Sequence, residues 1–267
     1  MSRTRGTWNT KGIWAAGVAL AAVLVLTAYS MLAGGDGGAD APAKSGASAS
    51  PGATGAASPA PTYAAPADWT EPERWTALPR GQRTDDRGSQ VGFPHTVEGA
   101  AAMAAAASAT RIEGETSTTD EQLRIYHSYM GKSDQTAENA KKIDTAGQQA
   151  DAALSQEMGV SAGQPLPSGA YVRGTVVGYK VVKKAADEVS VWLLTRVVQK
   201  TGETKQEDGS YTRTLLGVQW QDGDWKLTAA ATSRAQQDVA GEAQPPMVAP
   251  GDAEFNTGGW TAIREAS

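Results

Sequence analysis

Residues 170–233 read AYVRGTVVGYKVVKKAADEVSVWLLTRVVQKTGETKQEDGSYTRTLLGVQWQDGDWKLTAAATS, and their spacing decides the fold. Two runs, AYVRGTVVGYKVV from Ala170 and EVSVWLLTRVVQK from Glu188, are rich in β-branched and aromatic residues, as strands are. In the second run Val189, Val191, Leu193 and Val197 share one face, and Ser190, Trp192, Leu194, Arg196 and Val198 share the other. YTRTLLGVQWQ, from Tyr211, runs into Asp222-Gly223, a dipeptide suited to a tight hairpin. DWKLTAAATS then reads as a fourth strand. The charged segment between Gln199 and Tyr211 holds Gly202 and Asp208-Gly209 and reads as an exposed loop. Trp192, Trp220 and Trp225 cannot all face inward, since strand neighbours alternate; at least one is expected against helices.

Upstream of the strands the period changes. GFPHT (Gly92 to Thr96) precedes an alanine run, with Thr96 as N-cap and helix from Val97 to about Arg111. Gly99 and the alanines leave one face almost flat, so another backbone can approach closely. Thr118 and Glu121 have capping-box spacing and open a second helix that Gly131 stops. Leu123, Tyr126 and Met130 recur along it at helical intervals. Ser133 caps a third helix running to about Met158, with Gly159 after it. Ala137, Ala140, Ile143, Gly147, Ala150, Leu154 and Met158 trace its buried face. Three helices followed by four antiparallel strands imply an α+β fold, with the helices packed on one face of a curved four-stranded antiparallel sheet.

The N-terminal part divides by composition. Residues 1–12 carry Arg3, Arg5 and Lys11 and no acid, and read as a cytoplasmic tail. Residues 13–33, IWAAGVALAAVLVLTAYSMLA, have no charge and no proline and are long enough for a transmembrane helix. The run exceeds the apolar core of a signal peptide, so an uncleaved anchor is expected, with everything after it outside the cell membrane. In residues 34–67, 30 of 34 are Gly, Ala, Ser, Pro or Thr, which implies a disordered linker. Residues 68–91 read as an irregular lead-in whose Trp69 and Trp75 dock onto the domain, and residues 92–262 as the extracytoplasmic α+β domain.

Composition removes several chemistries. The 267 residues include no Cys, so disulfides and thiolate sites are excluded. The two histidines, His95 and His127, offer little for a metal site or a catalytic triad. The formal charge is −5, and the basic tail makes the rest more acidic still, which argues against direct nucleic-acid binding. Glycine-rich phosphate loops, His-Glu-x-x-His and Ser-x-x-Lys are absent from the sequence. Arg173, Lys180, Lys183 and Lys184 make the first long strand and its turn basic, as a charge-protected edge would be.

The element order, closing on Trp220, Asp222, Gly223, Asp224 and Trp225, resembles the nuclear-transport-factor-like cone. With the tail, apolar span and linker added, the chain resembles the single-pass bridge subunit of type IV secretion and conjugation systems, including its TcpC-like relatives. GFPHT with the alanine run, and FNTGGW from Phe255 to Trp260, are similar to patterns in actinobacterial conjugative-element membrane proteins. TcpC-like proteins often carry two such domains, and this chain has room for one.

The resemblance implies a membrane-anchored scaffold or assembly subunit of a conjugation or secretion channel. It would act by docking to other channel or transfer proteins and by homo-oligomerisation. The alternative is a cone module that binds a small ligand. Cone folds also include isomerases, which need a carboxylate base in an apolar pocket and a Tyr or protonated acid beside it. Tyr126, His127 and Tyr129 are the residues on hand, but the tyrosines read as core anchors and His95 as part of the turn seating the first helix. The expectation is therefore no enzyme, no catalytic residues, no cofactor and no metal.

Overall fold

The computed structural model describes residues 43–44 and 69–264. In chain order the elements are β1 (Ala43–Lys44), β2 (Trp75–Ala77), β3 (Arg83–Thr84), β4 (Gln90–Val91), α1 (Val97–Ser108), β5 (Thr110–Glu113), α2 (Thr118–Tyr129) and α3 (Ala137–Met158). There follow β6 (Ala170–Lys184), β7 (Glu188–Thr201), β8 (Asp208–Gln221), β9 (Asp224–Leu227), α4 (Ala229–Asp238), α5 (Ala253–Thr257) and β10 (Thr261–Arg264).

The fold is α+β, but the expected three helices on four antiparallel strands require correction. The described residues form five α-helices, an eight-stranded mixed sheet and a small β3–β4 hairpin. The meander β6–β7–β8–β9 is antiparallel throughout. On the other side of β6, β5 pairs with Tyr171–Gly174 and β10 with Gly178 and Tyr179. β10 also pairs with β2 in parallel, which makes the sheet mixed. β1, inside the stretch expected to be a linker, pairs with Ser210 and Tyr211 of β8. Register shifts at Val176/Gly178 and Val181/Lys183 place bulges in β6, and bulges bend and twist a strand.

Local chemistry explains each boundary. Thr96 caps α1 by accepting from the Gly99 N–H. α1 stops at Ser108, short of Arg111, because Thr110–Glu113 is drawn into the sheet against β6. α2 is capped by Ser117 with Asp120 as capping-box partner, one residue before the expected pair. The Thr118 N–H is instead held at 2.5 Å by Asp151 of α3. Ser133 lies in a 3-10 turn, Lys132–Asp134, and Thr136 caps α3. Gly159 ends α3 in the left-handed region at φ 71.

The largest local error of the sequence pattern is at DWKLTAAATS. The strand ends at Leu227; Thr228 caps α4 by accepting from the Ala231 N–H. α4 lies so close to β8 that a Cβ on Gly217 would sit 2.1 Å from the Ala231 carbonyl carbon, and Thr232 Oγ1 accepts from the Gly217 N–H.

Both faces of the sheet are buried. Val189, Val191, Leu193, Leu216 and Val218 meet Met103 and the alanines of α1, Tyr126 and Tyr129 of α2, and Trp225. Ile112, Leu154, Met158, Val172 and Val197 close one end. On the opposite face Trp192, Leu194 and Tyr211 meet Phe255, Trp260 and Ala262. Trp225 is thus the tryptophan buried on the helix side, whereas Trp192 is buried on the other.

The expected membrane placement is also corrected. Among the described residues no helix is long and apolar enough to cross a membrane. The longest, α3, carries Glu138, Lys141, Lys142, Asp144, Asp151 and Glu157 along its 22 residues. The span at 13–33, on which the single-pass cell-membrane localisation with a cytoplasmic N-terminus rested, lies outside the described residues.

Candidate functional site

The two motifs that stood out in the sequence, GFPHT and the Trp220–Trp225 hairpin, dock onto each other. The hairpin turns through Asp222 at φ 53 and Gly223 at φ 81, which sets Trp220 opposite Trp225. Asp224, buried at 3% exposure, accepts from the N–H groups of Gly92 (2.9 Å), Phe93 (3.0 Å) and Trp225 (2.9 Å). Lys226 Nζ lies 3.3 Å from Asp224 Oδ2, the oxygen that also accepts from Gly92 N, and donates to the Ser128 carbonyl. Trp225 Nε1 donates to the Pro94 carbonyl at 2.8 Å. The His95 ring stacks on Trp220 with centroids 4.0 Å apart, and its Nε2 reaches Ala186 O (2.9 Å) and Asp187 Oδ1 (3.0 Å). A Cβ on Gly99 would fall 1.9 Å from Pro94 O, so the backbone that exploits the flat face of α1 is the chain's own. Asp224 is a structural clamp whose lone pairs are spent on backbone donors.

None of Tyr126, His127 and Tyr129 lines any of the three cavities described below. Tyr126 is buried, and its hydroxyl donates to Thr136 O at 2.8 Å, joining α2 to the start of α3. Burial, with Asp134 nearby, pushes its phenol up. His127 is exposed, and partial desolvation with Arg87 nearby holds its imidazole below the usual value. Tyr129 is buried beside Ser89 and Arg124, and burial pushes its phenol up as well. Arg124 ties three elements together, through Glu121 Oε2 (2.7 Å), Ser89 Oγ (2.9 Å) and Ala109 O (3.2 Å).

Three of the basic residues of β6, Arg173, Lys180 and Lys183, have internal partners. Arg173 pairs with Glu113 at 2.7 Å, Lys183 with Asp238 at 2.9 Å, and Lys180 donates to Gly258 O at 3.1 Å. Among the described residues no group of three or more His, Asp or Glu is placed to hold a metal ion.

Sequence reasoning missed the open features. One is a cavity of about 360 Å³ at the end of the sheet, between the β5–α2 loop, α3 and the α3–β6 loop. Ile112, Leu154, Pro165 and Leu166 supply its apolar wall, and Glu115, Asp151 and Ser155 its polar side. Its signal was faint: Asp151 and Ser155, four apart on a helix, beside loops read only as connections. A second, open groove of about 510 Å³ runs along Ala102, Ala105 and Ala106 of α1, with Leu78, Phe93 and Ile263 across it. A third, of about 350 Å³, lies between β6 and α4 over Trp192.

A family model described as a domain of unknown function, DUF8175, matches residues 125–244, a little under half of the chain. No curated protein and no solved structure gives a significant match. The matched segment runs from within α2 past the end of α4 and takes in the whole β6–β9 meander.

Proposed function

We propose that the domain is a docking module, an assembly subunit of the conjugation or secretion kind that acts through protein–protein contact and self-association, not through turnover. The observation that carries this reading is a filled interior. Under the concave side of a cone an enzyme keeps a pocket with a lone carboxylate. In this chain the space between the sheet and α1 holds Trp225, Met103, Val191, Leu193 and Val218, each 1% exposed or less. Asp224, the buried acid nearest to it in sequence, accepts three backbone N–H groups. The groove along α1 adds an apolar outer surface with Arg80 and Arg264 on its lining.

Sedimentation velocity of the full chain over a concentration series tests the reading. Reversible self-association is expected. Ala105→Glu together with Ala106→Glu, at half-buried positions of the groove, should shift the chain to monomer at unchanged thermal stability. A chain that stays monomeric at every concentration, or a substitution that abolishes association only by unfolding the protein, would overturn it.

A further inference from the structure

We infer that the cavity between the β5–α2 loop and α3 is a binding site for an alkylammonium group, carried by a small amine or by a lysine side chain. A volume of about 360 Å³ is within the range of small-ligand sites. Its wall of Ile112, Leu154, Pro165 and Leu166 suits a short methylene chain. Its charge has one sign. Glu115 and Asp151 line it, and no Lys, Arg or His does.

The N-terminus of α2 opens beside this cavity, and a bare helix N-terminus favours anions. Asp151 removes that option. Its carboxylate accepts from Thr118 N (2.5 Å), Thr119 N (3.2 Å) and Thr119 Oγ1 (2.6 Å), so the donors an anion would use are occupied by a built-in anion. Glu115 forms no ion pair among the described residues and is exposed at the rim, where it can meet an ammonium.

Ser155 supplies an independent indication. It lies one turn after Asp151 on the same face of α3 and is 6% exposed. Among the described residues its hydroxyl makes no hydrogen bond, although it lines the cavity. Its hydroxyl is not a fully buried orphan, so it keeps contact with the cavity, where a ligand's donor can reach it. The loop that closes the far side is fixed, since Leu166 N donates to Gly114 O at 2.9 Å. The site is therefore held open by backbone bonding and needs no rearrangement to fill. This inference stands apart from the docking reading, because a free amine can bind a monomer.

Titration of the isotope-labelled full chain with n-pentylamine, followed by amide NMR, tests it. Shifts are expected at Gly114, Ser117, Ser155 and Gly163, with pentanoate and pentanol binding several-fold more weakly. Glu115→Gln, at an exposed rim position, should weaken pentylamine by up to about fivefold, the scale of one solvent-exposed ion pair. Ser155→Val should block the cavity; if it fails to fold, the Glu115 variant still decides. Nα-acetyl-lysine methylamide is the second probe. Equal binding of both amines assigns the site to a lysine side chain, and binding of pentylamine alone assigns it to a small amine. The inference is overturned by pentanoate or pentanol binding as well as the amine. It is equally overturned by unchanged affinity in Glu115→Gln, or by no shift at these amides.

Discussion

On the helix side of the sheet, Val189, Val191, Leu193 and Val218 meet α1 and α2; on the opposite side, Trp192 and Leu194 meet Phe255, Trp260 and Ala262. The first cover is regular secondary structure with small residues, so the helices approach closely. The second combines α4, which Gly217 lets lie against β8, with the short α5 and irregular chain, and it anchors through a few large rings. Trp260 Nε1 donates to Pro246 O, much as Trp225 Nε1 donates to Pro94 O on the other side. Each cover thus uses a fully buried tryptophan that bonds the carbonyl of a proline in a loop. The lesson is that irregular chain can help bury a sheet face if its polar backbone atoms are met by the rings it brings.

The sharpest test of that equivalence is a pair of truncations. Trp225→Ala and Trp260→Ala should each cost roughly 3–5 kcal/mol in denaturant unfolding, the range for a buried aromatic. If Trp260→Ala leaves global stability unchanged and only raises amide exchange in 245–262, the second cover is a separate, weaker unit and the comparison breaks.

The two faces also differed in how far the sequence disclosed them. The alternation in Val189–Val198 told which residues share a face: Val189, Val191, Leu193 and Val197 are all buried, whereas in the second group Ser190, Trp192 and Leu194 are buried, Val198 is half-buried and Arg196 is exposed. It could not tell that the second face is covered, because Ala240–Gly259 has no period and its contacts are set by proline and glycine geometry. The Thr96 cap and the Asp222-Gly223 turn were legible, since each is a local bond pattern. α4 was not, because Thr228-Ala229-Ala230 continues a strand pattern until Gly217 lets a helix lie against β8. The cavity beside α2 was invisible for a similar reason: loops distant in sequence build it.

Asp224→Asn probes the clamp on the helix side. Asn keeps one acceptor oxygen but loses the charge that strengthens three backbone hydrogen bonds, so a loss of about 2 kcal/mol is expected. A neutral outcome would mean that Trp225 alone holds GFPHT, which would make the two covers more alike still.

Glycines at close approaches sharpen the comparison further. Gly99→Ala gains about 1 kcal/mol of helix propensity. Its Cβ would nevertheless meet Pro94 O at 1.9 Å, so overpacking decides the sign and a net loss of about 1–3 kcal/mol is expected. On the opposite face Gly251 has φ 114, where a side chain is strained, and a Cβ there would lie 2.4 Å from the Trp69 ring. Trp69 is partly exposed, and both it and Trp75 donate to Glu71, so the ring can swing outward and the loss should be smaller than at Gly99. Thermal unfolding of the two variants side by side reads the difference. Equal losses would show that the second cover is as rigid as the first.

The smallest expected effect concerns charge at the closed end of the sheet. Burial, opposed by a hydrogen bond from Gln199 Nε2 and reinforced by Asp208, holds the Glu157 carboxyl above its ordinary value of 4.5. A group that binds its proton more tightly when folded contributes stability below its unfolded value, and that contribution is lost as pH rises through the folded value. At neutral pH the ionised Glu157 is therefore a net cost, and a small one because the carboxylate is partly solvated. Glu188 is the opposite case. Hydrogen bonds from Arg234 hold it below its ordinary value, so its contribution is present above about 4.5 and lost as pH falls. Glu157→Gln should thus be neutral or slightly stabilising at pH 7, and should lose that advantage at pH 4, where the wild-type carboxyl takes up its proton. Glu188→Gln should be destabilising at pH 7 and approach wild type in acid. Denaturant midpoints of the two variants measured across pH 4 to 8 give the two slopes, and slopes of the same sign would show that Glu157 is solvated like any surface carboxylate.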